Sequence, residues 1–336
     1  MKTFNVVCKV ITPLFMGGAD QQAELRTQSI NGLLRWWFRV AGGSIDDEKR
    51  IFGWAGETSN QGLVRIFIKE TDFQPKRFSS GPQGYNYLGF SLKLANRVSV
   101  PENKTFSLKI SFHPRANEED IKKFFCALWL AFNLGNFGSR SRRGFGSIKI
   151  EGIEENGNDI TNNFYGLNFV PSGNLGYWIN NNLNEIHPIE EFHHQLLQYW
   201  INNNLNEIKK ILTHPRKDIP NLFDNFEIYI FGSNNNWQNL LDQAGREYLS
   251  FRKQKPIDDR IVFGLPIVAV GKYRNLRRAS PLMFKILEVD ENKYVLLLIV
   301  MKPDDKRPFK FHPEIKSVSW NLLSDFVSRF EKIYPP

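Results

Sequence analysis

The sequence predicts an α+β protein made of two strand–helix–strand–strand–helix–strand units that flank an asparagine-rich segment. The chain has 336 residues, about the length of two domains. Each half interleaves short alternating or Val- and Ile-rich runs, which are typical of strands, with amphipathic runs, which are typical of helices. The 28 phenylalanines are enough for each unit to form its own core.

In the first half the predicted order is strand, helix, strand, strand, helix, strand. These elements cover residues 2–12, 29–43, 62–70, 104–112, 117–135 and 146–153. Ser29 is the predicted N-cap of the first helix and Gly42–Gly43 its stop, because small polar residues favour helix starts and glycine favours helix ends. This order is the βαββαβ pattern of the ferredoxin-like (RRM-like) fold, within residues 1–153.

The second half predicts another ferredoxin-like unit, over residues 226–336. Its elements are predicted at residues 226–232, 235–253, 261–270, 282–289, 293–301 and 320–333, the second and the last being helices. Residues 154–225 are rich in asparagine and predict an irregular, helical insertion between the two domains. This insertion holds the decapeptide YWINNNLNEI twice, at 177–186 and at 199–208, which indicates a local duplication with no evident function.

Positive charge is concentrated in two stretches of the chain. The net charge is +9, which suits a polyanion such as nucleic acid. Between Arg252 and Lys285 nine basic residues are opposed only by Asp258 and Asp259, and residues 135–150 hold four basic residues and no acidic one. A solvated charged face gives a similar pattern, but clustering beside glycines and aromatics favours nucleic acid. No apolar run is long enough to cross a bilayer, so a cytoplasmic protein without membrane contact is expected.

The segment LGNFGSRSRRGFGSIKI predicts a loop that cradles an RNA backbone. Its glycines and arginines are Gly135, Gly138, Arg140, Arg142, Arg143, Gly144 and Gly146. Glycine lets backbone N–H groups approach an anion closely, and the planar guanidinium of arginine matches a phosphate. The alternative is a tight, well-solvated turn.

The first predicted helix carries a basic stripe opposite its apolar face, formed by Arg35 and Arg39 four residues apart. Gly32 costs about 1 kcal/mol relative to alanine inside a helix, which indicates that another molecule approaches the backbone there. Trp36 lies beside the stripe. Its ring could stack on a base or be half-buried against another domain, and both interpretations remain open.

The sequence shows no recognisable catalytic site. None of the six histidines lies in the glycine-rich segment, the first helix or the basic stretch, although acid–base cleavage of RNA most often uses histidine. No Cys/His spacing of a zinc site occurs. Cys8 and Cys126 each lie in an apolar run and are predicted to be reduced core residues. We therefore expect no enzyme activity, no metal and no cofactor.

Several segments taken together resemble the RAMP superfamily of CRISPR proteins, namely ITPLFMGGAD, RTQSINGLLRWWFR, IFGWAG and NFGSRSRRGFGSI. Within it, LLRWWFR with GSRSRRGFGS resembles the first-subunit family of the Cmr module, the type III-B RNA-targeting complex. FGLP and RRASPLMFKI resemble the C-terminal half of that family. The resemblance implies two ferredoxin-like domains that join other RAMP subunits on a guide RNA near its 3′ end and help engage target RNA, while another subunit cleaves.

The resemblance also implies a set of RNA-binding residues. They are Gly17 and Gly18 in the first glycine turn, Ser29, Gly32, Arg35, Trp36 and Arg39 in the helix, Gly138, Arg140, Arg142, Arg143, Gly144 and Gly146 in the glycine-rich loop, and Arg277 and Arg278 in the C-terminal basic motif. The expected function is a non-catalytic RNA-binding subunit of a type III-B CRISPR complex in antiviral defence. The alternatives are a metal-independent RAMP-type endoribonuclease that processes CRISPR RNA, and a single-strand RNA-binding protein that works alone.

Overall fold

The computed structural model describes residues 1–56, 59–69, 72–171, 189–264, 278–302 and 320–335, with the backbone alone for residues 189–193. Over these residues the chain forms two main antiparallel sheets, a small two-stranded sheet and packed helices, which confirms the predicted α+β class. Within these ranges no helix has the length and apolarity of a membrane span.

The first sheet contains five antiparallel strands. They are β1 (Thr3–Val10), β2 (Val64–Lys69), β5 (Thr105–Phe112), β6 (Ile148–Glu155) and β7 (Asn158–Asp159). Their order is β2-β5-β1-β6-β7, so β1 lies between the third and fourth of the strands predicted for the first half. Alternate side chains of β1, from Phe4 to Val10, are buried on one face of this sheet. All four predicted strands of the first half are confirmed.

Three helices belong to this first unit. They are α1 (Thr27–Val40), α2 (Ile45–Phe52) and α5 (Glu118–Asn133). The helix α5 begins with a capping box between Asn117 and Asp120, and its side chains are buried almost throughout because it contacts α1, α2 and β6. Both predicted helices of the first half are confirmed.

The start of α1 differs from the prediction. Its N-cap is Arg26, so Ser29 lies in the first turn and the predicted N-cap role of Ser29 is wrong. The helix begins earlier because the Ile30 amide donates to the Arg26 carbonyl oxygen at 3.2 Å, and the Arg26 guanidinium donates to the Gly17 carbonyl oxygen at 3.2 Å. The stop is as predicted, since α1 ends at Val40 and Gly42 follows with a φ of +91°.

Residues 76–99 form a small insertion that the sequence did not reveal. It consists of β3 (Lys76–Arg77), α3 (Gln83–Leu88), α4 (Phe90–Leu94) and β4 (Val98–Ser99). These elements are too short to give a clear periodicity. The helix α3 packs closely on the second unit, which makes the insertion a part of the contact between the two halves.

The asparagine-rich segment contains the helix α6 (Ile189–Ile211), which packs on α5. The Trp200 ring lies 5.1 Å from the Trp129 ring of α5, measured between centroids. The second copy of the decapeptide, residues 199–208, lies within α6, while the first copy lies outside the described residues. The predicted helical character of this segment is thus confirmed for its second half.

The second sheet is formed by the C-terminal third of the chain. Its elements are β8 (Phe226–Asn234), α7 (Trp237–Lys253), a 3₁₀ helix (Asp258–Phe263), β9 (Leu282–Asp290), β10 (Lys293–Met301), α8 (Asn321–Val327) and β11 (Glu331–Tyr334). The strand order is β11-β8-β10-β9, and all neighbours are antiparallel.

Two predictions for this unit are wrong in part. Residues 261–263, predicted as the start of a strand, belong to the 3₁₀ helix, and residues 265–270 lie outside the described residues. The last helix ends at Val327 rather than at 333, and the residues after it form β11, which pairs with β8. Backbone pairing with an open sheet edge and burial of Ile333 and Tyr334 outweigh the helical periodicity there.

Candidate nucleic-acid interface

The glycine-rich loop, residues 135–146, connects α5 to β6 and lies against the turn that follows β1. The Gly146 amide donates to the Pro13 carbonyl oxygen at 3.1 Å, and the Ser139 amide donates to the Phe15 carbonyl oxygen at 2.8 Å. Gly146 has a φ of +75°, and a Cβ atom there would be 1.9 Å from the Phe137 carbonyl oxygen. Only glycine adopts a positive φ without strain and lacks the Cβ atom that would clash, so the close packing of the loop requires glycine at position 146.

The glycines serve the loop's own packing more than the sequence suggested. The amides of Phe137, Ser139, Arg143 and Gly146 all donate within the protein. These four N–H groups are therefore not available to an anion, and the predicted cradle of backbone N–H groups is narrower than expected. The side chains of the arginines become the main positive groups that the loop can offer.

Arg143 joins the loop to the second unit. Its guanidinium donates to the carbonyl oxygens of Leu282 and Phe263 at 3.3 and 3.2 Å, and to the Tyr248 hydroxyl at 3.3 Å. It also lies 5.1 Å from the Tyr248 ring centroid. Because these contacts use both terminal nitrogens of the guanidinium, Arg143 has a structural role at the seam, by which we mean the contact between the first unit and β9.

Arg142 points along the same seam toward α1. It donates to the Ser280 carbonyl oxygen, and its guanidinium carbon lies 5.4 Å from the centroid of the Trp36 ring. Burial, together with the nearby charge of Arg143, lowers the pKa of Arg142 to about 10. The contact brings together the helix motif and the glycine-rich loop, which are far apart in the sequence.

Arg140 lies near Arg143, and Arg278 lies near Arg142. Arg140, with a φ of +61°, donates to the Leu88 carbonyl oxygen at 2.9 Å, and Arg278 lies 5.0 Å from the Trp320 ring centroid. The pKa of each is lowered to about 10, first by burial and then by Arg143 for Arg140 and by Arg142 for Arg278. The predicted residue Arg277 lies outside the described residues.

The charges of the three loop arginines are not compensated by acids. Within the described ranges, no carboxylate pairs with Arg140, Arg142 or Arg143, and their donors meet main-chain carbonyl oxygens, hydroxyls and aromatic rings. Neutral acceptors satisfy hydrogen bonds but leave the net charge in place. Arg140, Arg142 and Arg143 are called the arginine cluster below, and their net charge attracts anions.

The first helix contributes differently from the loop. Arg35 and Arg39 both pair with the buried carboxylate of Glu48 in α2, at 2.9 and 3.2 Å, so that part of the predicted basic stripe is neutralised. Trp36 is half-buried, with its ring 4.9 Å from the Trp37 ring. Among the described residues its ring–ring and cation–π contacts are with its own unit, so stacking on a base and packing against another domain both stay predictions. A Cβ atom on Gly32 would meet nothing within 4 Å, so the helix backbone is open to a ligand there.

The first glycine turn lies beside the loop. Gly17 bridges to Ala23, and a Cβ atom on Gly17 would be 2.1 Å from the Gln22 carbonyl oxygen, so the turn itself requires glycine. A Cβ atom on Gly138 would be 2.5 Å from the Phe15 carbonyl oxygen. Gly144 similarly packs on Leu241 of α7. The first glycine turn, the helix motif and Arg278 of the C-terminal basic motif thus lie close together around the glycine-rich loop.

Buried polar groups that the sequence analysis missed hold the seam together. Asn136 donates to the Phe284 carbonyl oxygen at 2.8 Å and accepts from the Ser147 hydroxyl at 2.6 Å. Lys285, counted above among the surface charges, is fully buried, which corrects that count. Its ammonium donates to the carbonyl oxygens of Phe132 and Gly135 at the end of α5, and burial lowers its pKa to about 7. The sequence feature that could have predicted this burial is a single lysine inside an otherwise apolar strand.

Glu288 forms a second link across the seam. This buried carboxylate of β9 accepts from Lys9 of β1 at 2.9 Å and from Lys149 of β6 at 3.2 Å. Neither lysine has a neighbour in the sequence that predicts a buried partner. Their pairing with a residue of the second unit fixes how the two sheets meet.

The described part of the chain contains no group of three or more His, Cys, Asp or Glu residues that could hold a metal ion. His194 is 2.9 Å from Glu331, and His113 accepts from Arg115, so neither contacts the arginine cluster. Cys8 and Cys126 are buried free thiols, as predicted, and burial raises the pKa of each.

Comparison with known proteins relates both halves of the chain to described families. The RAMP superfamily model matches residues 7–149, and the model of the Cmr1-like C-terminal family matches residues 223–333. The CRISPR system Cmr subunit Cmr1-1 of Pyrococcus furiosus is 30 % identical over 335 residues, which cover 90 % of this chain and 87 % of that protein.

Solved structures show the same fold. The crystal structure of Cmr1 from Pyrococcus furiosus in its apo form covers 99 % of both chains with a TM-score of 0.66 and 24 % identity. A chain in the cryo-EM structure of the type III-B Cmr-beta complex bound to cognate target RNA covers 98 % of both chains, with a TM-score of 0.54 and 13 % identity.

Proposed function

The chain belongs to the RAMP superfamily and, within it, to the Cmr1 subunits of the Cmr CRISPR system, and on this basis we propose that it is a non-catalytic RNA-binding subunit of a type III-B effector complex. The arginine cluster is the proposed RNA-binding site. It contacts the sugar–phosphate backbone, because guanidinium groups recognise phosphates irrespective of base identity.

The observation that carries the proposal is the charge of the loop arginines without carboxylate partners. Arg140 and Arg142 donate to neutral carbonyl oxygens, and burial lowers the pKa of both to about 10. A lowered pKa means that burial disfavours the charged guanidinium, so a phosphate that approaches it stabilises the charged form.

The proposal includes a domain organisation. Residues 1–153 and 226–336 are each a ferredoxin-like domain, and residues 154–225 are an insertion between them. In support, both sheets place their four main strands in the same relative order, with the first strand between the third and the fourth. Each unit also has a helix after its first strand and another before its last.

The partners follow from the family. A related chain lies in a type III-B complex bound to cognate target RNA. We assign the arginine cluster to guide RNA near its 3′ end, to target RNA, or to both, within an assembly of other RAMP subunits. Trp36 is placed beside Arg142, where it orients the guanidinium rather than stacking alone on a base.

Binding and cleavage are separated by incubating the purified protein with end-labelled single-stranded RNA in the absence of metal. The proposal predicts a stable complex from which the RNA is recovered at full length. Discrete, site-specific products at stoichiometric protein would instead identify a metal-independent endoribonuclease. A further copurification from native cells, with identification of the associated RNA and proteins, distinguishes a complex subunit from a protein that binds RNA alone.

A further inference from the structure

On its face away from α1 and α5, the first sheet is exposed at the edge formed by β2 and β5. On the edge strand β2 the side chains alternate, with Val64, Ile66 and Ile68 packed on the core and Arg65, Phe67 and Lys69 exposed. The face that carries the exposed set is the one to which Lys109 of β5 belongs, because Phe67 and Lys109 are directly paired.

Phe67 is unusual among the apolar residues of this sheet. Its side chain is 54 % exposed in the middle of a strand whose other large apolar residues turn inward. Single exposed apolar residues are common on protein surfaces. An exposed aromatic ring on an unpaired sheet edge is nevertheless a hazard, since it favours edge-to-edge association. We therefore expect another molecule to cover the Phe67 ring.

The charges around Phe67 indicate the chemistry of that occupant. Arg65 and Lys69 flank the ring two residues away on each side, and Lys109 lies opposite on β5. Within the described residues none of these three cations forms an ion pair, and the paired neighbours of Arg65 and Lys69 are the uncharged Ser111 and Ser107. An aromatic ring framed by cations that form no ion pair within the described residues matches a base stacked on the ring and phosphates at the cations.

A protein partner fits this surface less well. The cores of protein–protein interfaces are depleted in lysine, and lysine on an edge strand serves to prevent pairing with another strand. That second role explains Arg65 and Lys69 but gives no reason for the phenylalanine between them. Nucleic acid accounts for the ring and the cations together.

We infer that Phe67, Arg65, Lys69 and Lys109 form a second single-strand RNA surface, separate from the arginine cluster, on which one base stacks on Phe67. The inference extends the proposed function to a part of the sheet that faces away from α5. The two surfaces lie at different places, because β2 is at one edge of the sheet and β6, which contacts the seam through Lys149, lies beyond β1.

The test uses the full chain, a labelled polyuridine and three substitutions at Phe67. Phe67→Leu keeps an apolar side chain but removes the ring, Phe67→Trp keeps a stacking ring, and Phe67→Ala removes both. Loss of one stacked base predicts affinity about 5- to 150-fold weaker in Phe67→Ala and Phe67→Leu, and near wild type in Phe67→Trp. Ultraviolet crosslinking should attach the RNA to the peptide that contains Phe67.

Two results would overturn the inference. The first is that a folded Phe67→Ala protein binds RNA with the wild-type affinity while an Arg142 variant binds more weakly. The arginine cluster would then be the RNA site, and the proposed function would still hold. The other is unchanged RNA affinity together with loss of copurifying Cmr subunits, which would make the sheet edge a protein interface. If neither Phe67 nor Arg142 variants bind RNA differently from wild type, the proposed function itself fails.

Discussion

The guanidinium carbon of Arg142 lies 5.4 Å from the centroid of the Trp36 ring, which joins the glycine-rich loop to the helix α1. Arg142 is also close enough to Arg278 for the charge of one to lower the pKa of the other. Three segments that are distant in the sequence therefore meet at one positive surface. The predictions below test what each part of this arrangement contributes.

Trp36 holds the Arg142 side chain in position. We expect Trp36→Ala to weaken RNA binding roughly 2- to 30-fold, the equivalent of a cation–π contact of about 0.5–2 kcal/mol. Trp36→Phe keeps an aromatic face and should lose much less. Fluorescence anisotropy with labelled RNA measures both. Equal losses in the two variants would mean that Trp36 acts through its indole N–H and not through its aromatic face.

Two glycines should respond in opposite directions when replaced by alanine. A Cβ atom on Gly84 would be 2.0 Å from the Asp242 carbonyl oxygen of α7, so Gly84→Ala should destabilise the fold by about 1–3 kcal/mol. Gly32 has open space within α1, so Gly32→Ala should stabilise it by about 0.5–1 kcal/mol. Chemical denaturation gives both values. RNA affinity should fall in Gly32→Ala if RNA approaches the helix backbone, as the sequence predicts.

Lys285 should give the protein a stability that rises with pH. Burial lowers its pKa from 10.5 to about 7 in the folded protein. Between these values the unfolded chain binds a proton that the folded protein does not, so the free energy of unfolding increases with pH by up to ~1.4 kcal/mol per unit. Below pH 7 this slope disappears. In Lys285→Met this increase of the free energy of unfolding with pH should be absent, as measured by denaturation from pH 7 to 9. If wild type and Lys285→Met show the same slope of unfolding free energy against pH, the lowered pKa of Lys285 is contradicted.

Glu288 should matter more for stability than an exposed acid. Glu288→Gln leaves Lys9 and Lys149 without their charged partner at the seam, and since both lysines are partly exposed we expect a loss of about 1–3 kcal/mol. Glu247→Gln removes the exposed pair with Arg329 and should cost at most about 1 kcal/mol. Thermal unfolding of both variants provides the comparison. A smaller loss for Glu288→Gln than for Glu247→Gln would show that the seam does not depend on this carboxylate.

Much of the fold was predictable because its strands and helices bury one face each. Strands such as β1 and helices such as α5 show the corresponding periodicity and caps in the sequence. The strand β11 escaped prediction because its four residues pair with the edge of β8, a long-range contact that local periodicity does not encode. The insertion of residues 76–99 escaped because its elements are each only two to six residues long.

The site was predictable in its composition and less so in its geometry. Glycines and arginines mark the loop, and the structure brings the loop, Trp36 and Arg278 together. The sequence could not reveal that Arg143 would be used to bind the second unit, because its partners are carbonyl oxygens of residues far along the chain. For the same reason Lys285 looked like a surface charge, although it is buried at the end of α5.

The central claim is that the arginine cluster binds RNA phosphates, and the salt dependence of RNA affinity tests it most directly. Arg142→Gln is compared with Arg329→Gln, which removes an exposed arginine that already pairs with Glu247. The account predicts that Arg142→Gln weakens binding at low salt and reduces the slope of log affinity against log salt by about 0.7, the value for one phosphate contact on a single strand. Arg329→Gln should leave the slope as in wild type. A folded Arg142→Gln protein with the wild-type affinity and slope would contradict the account.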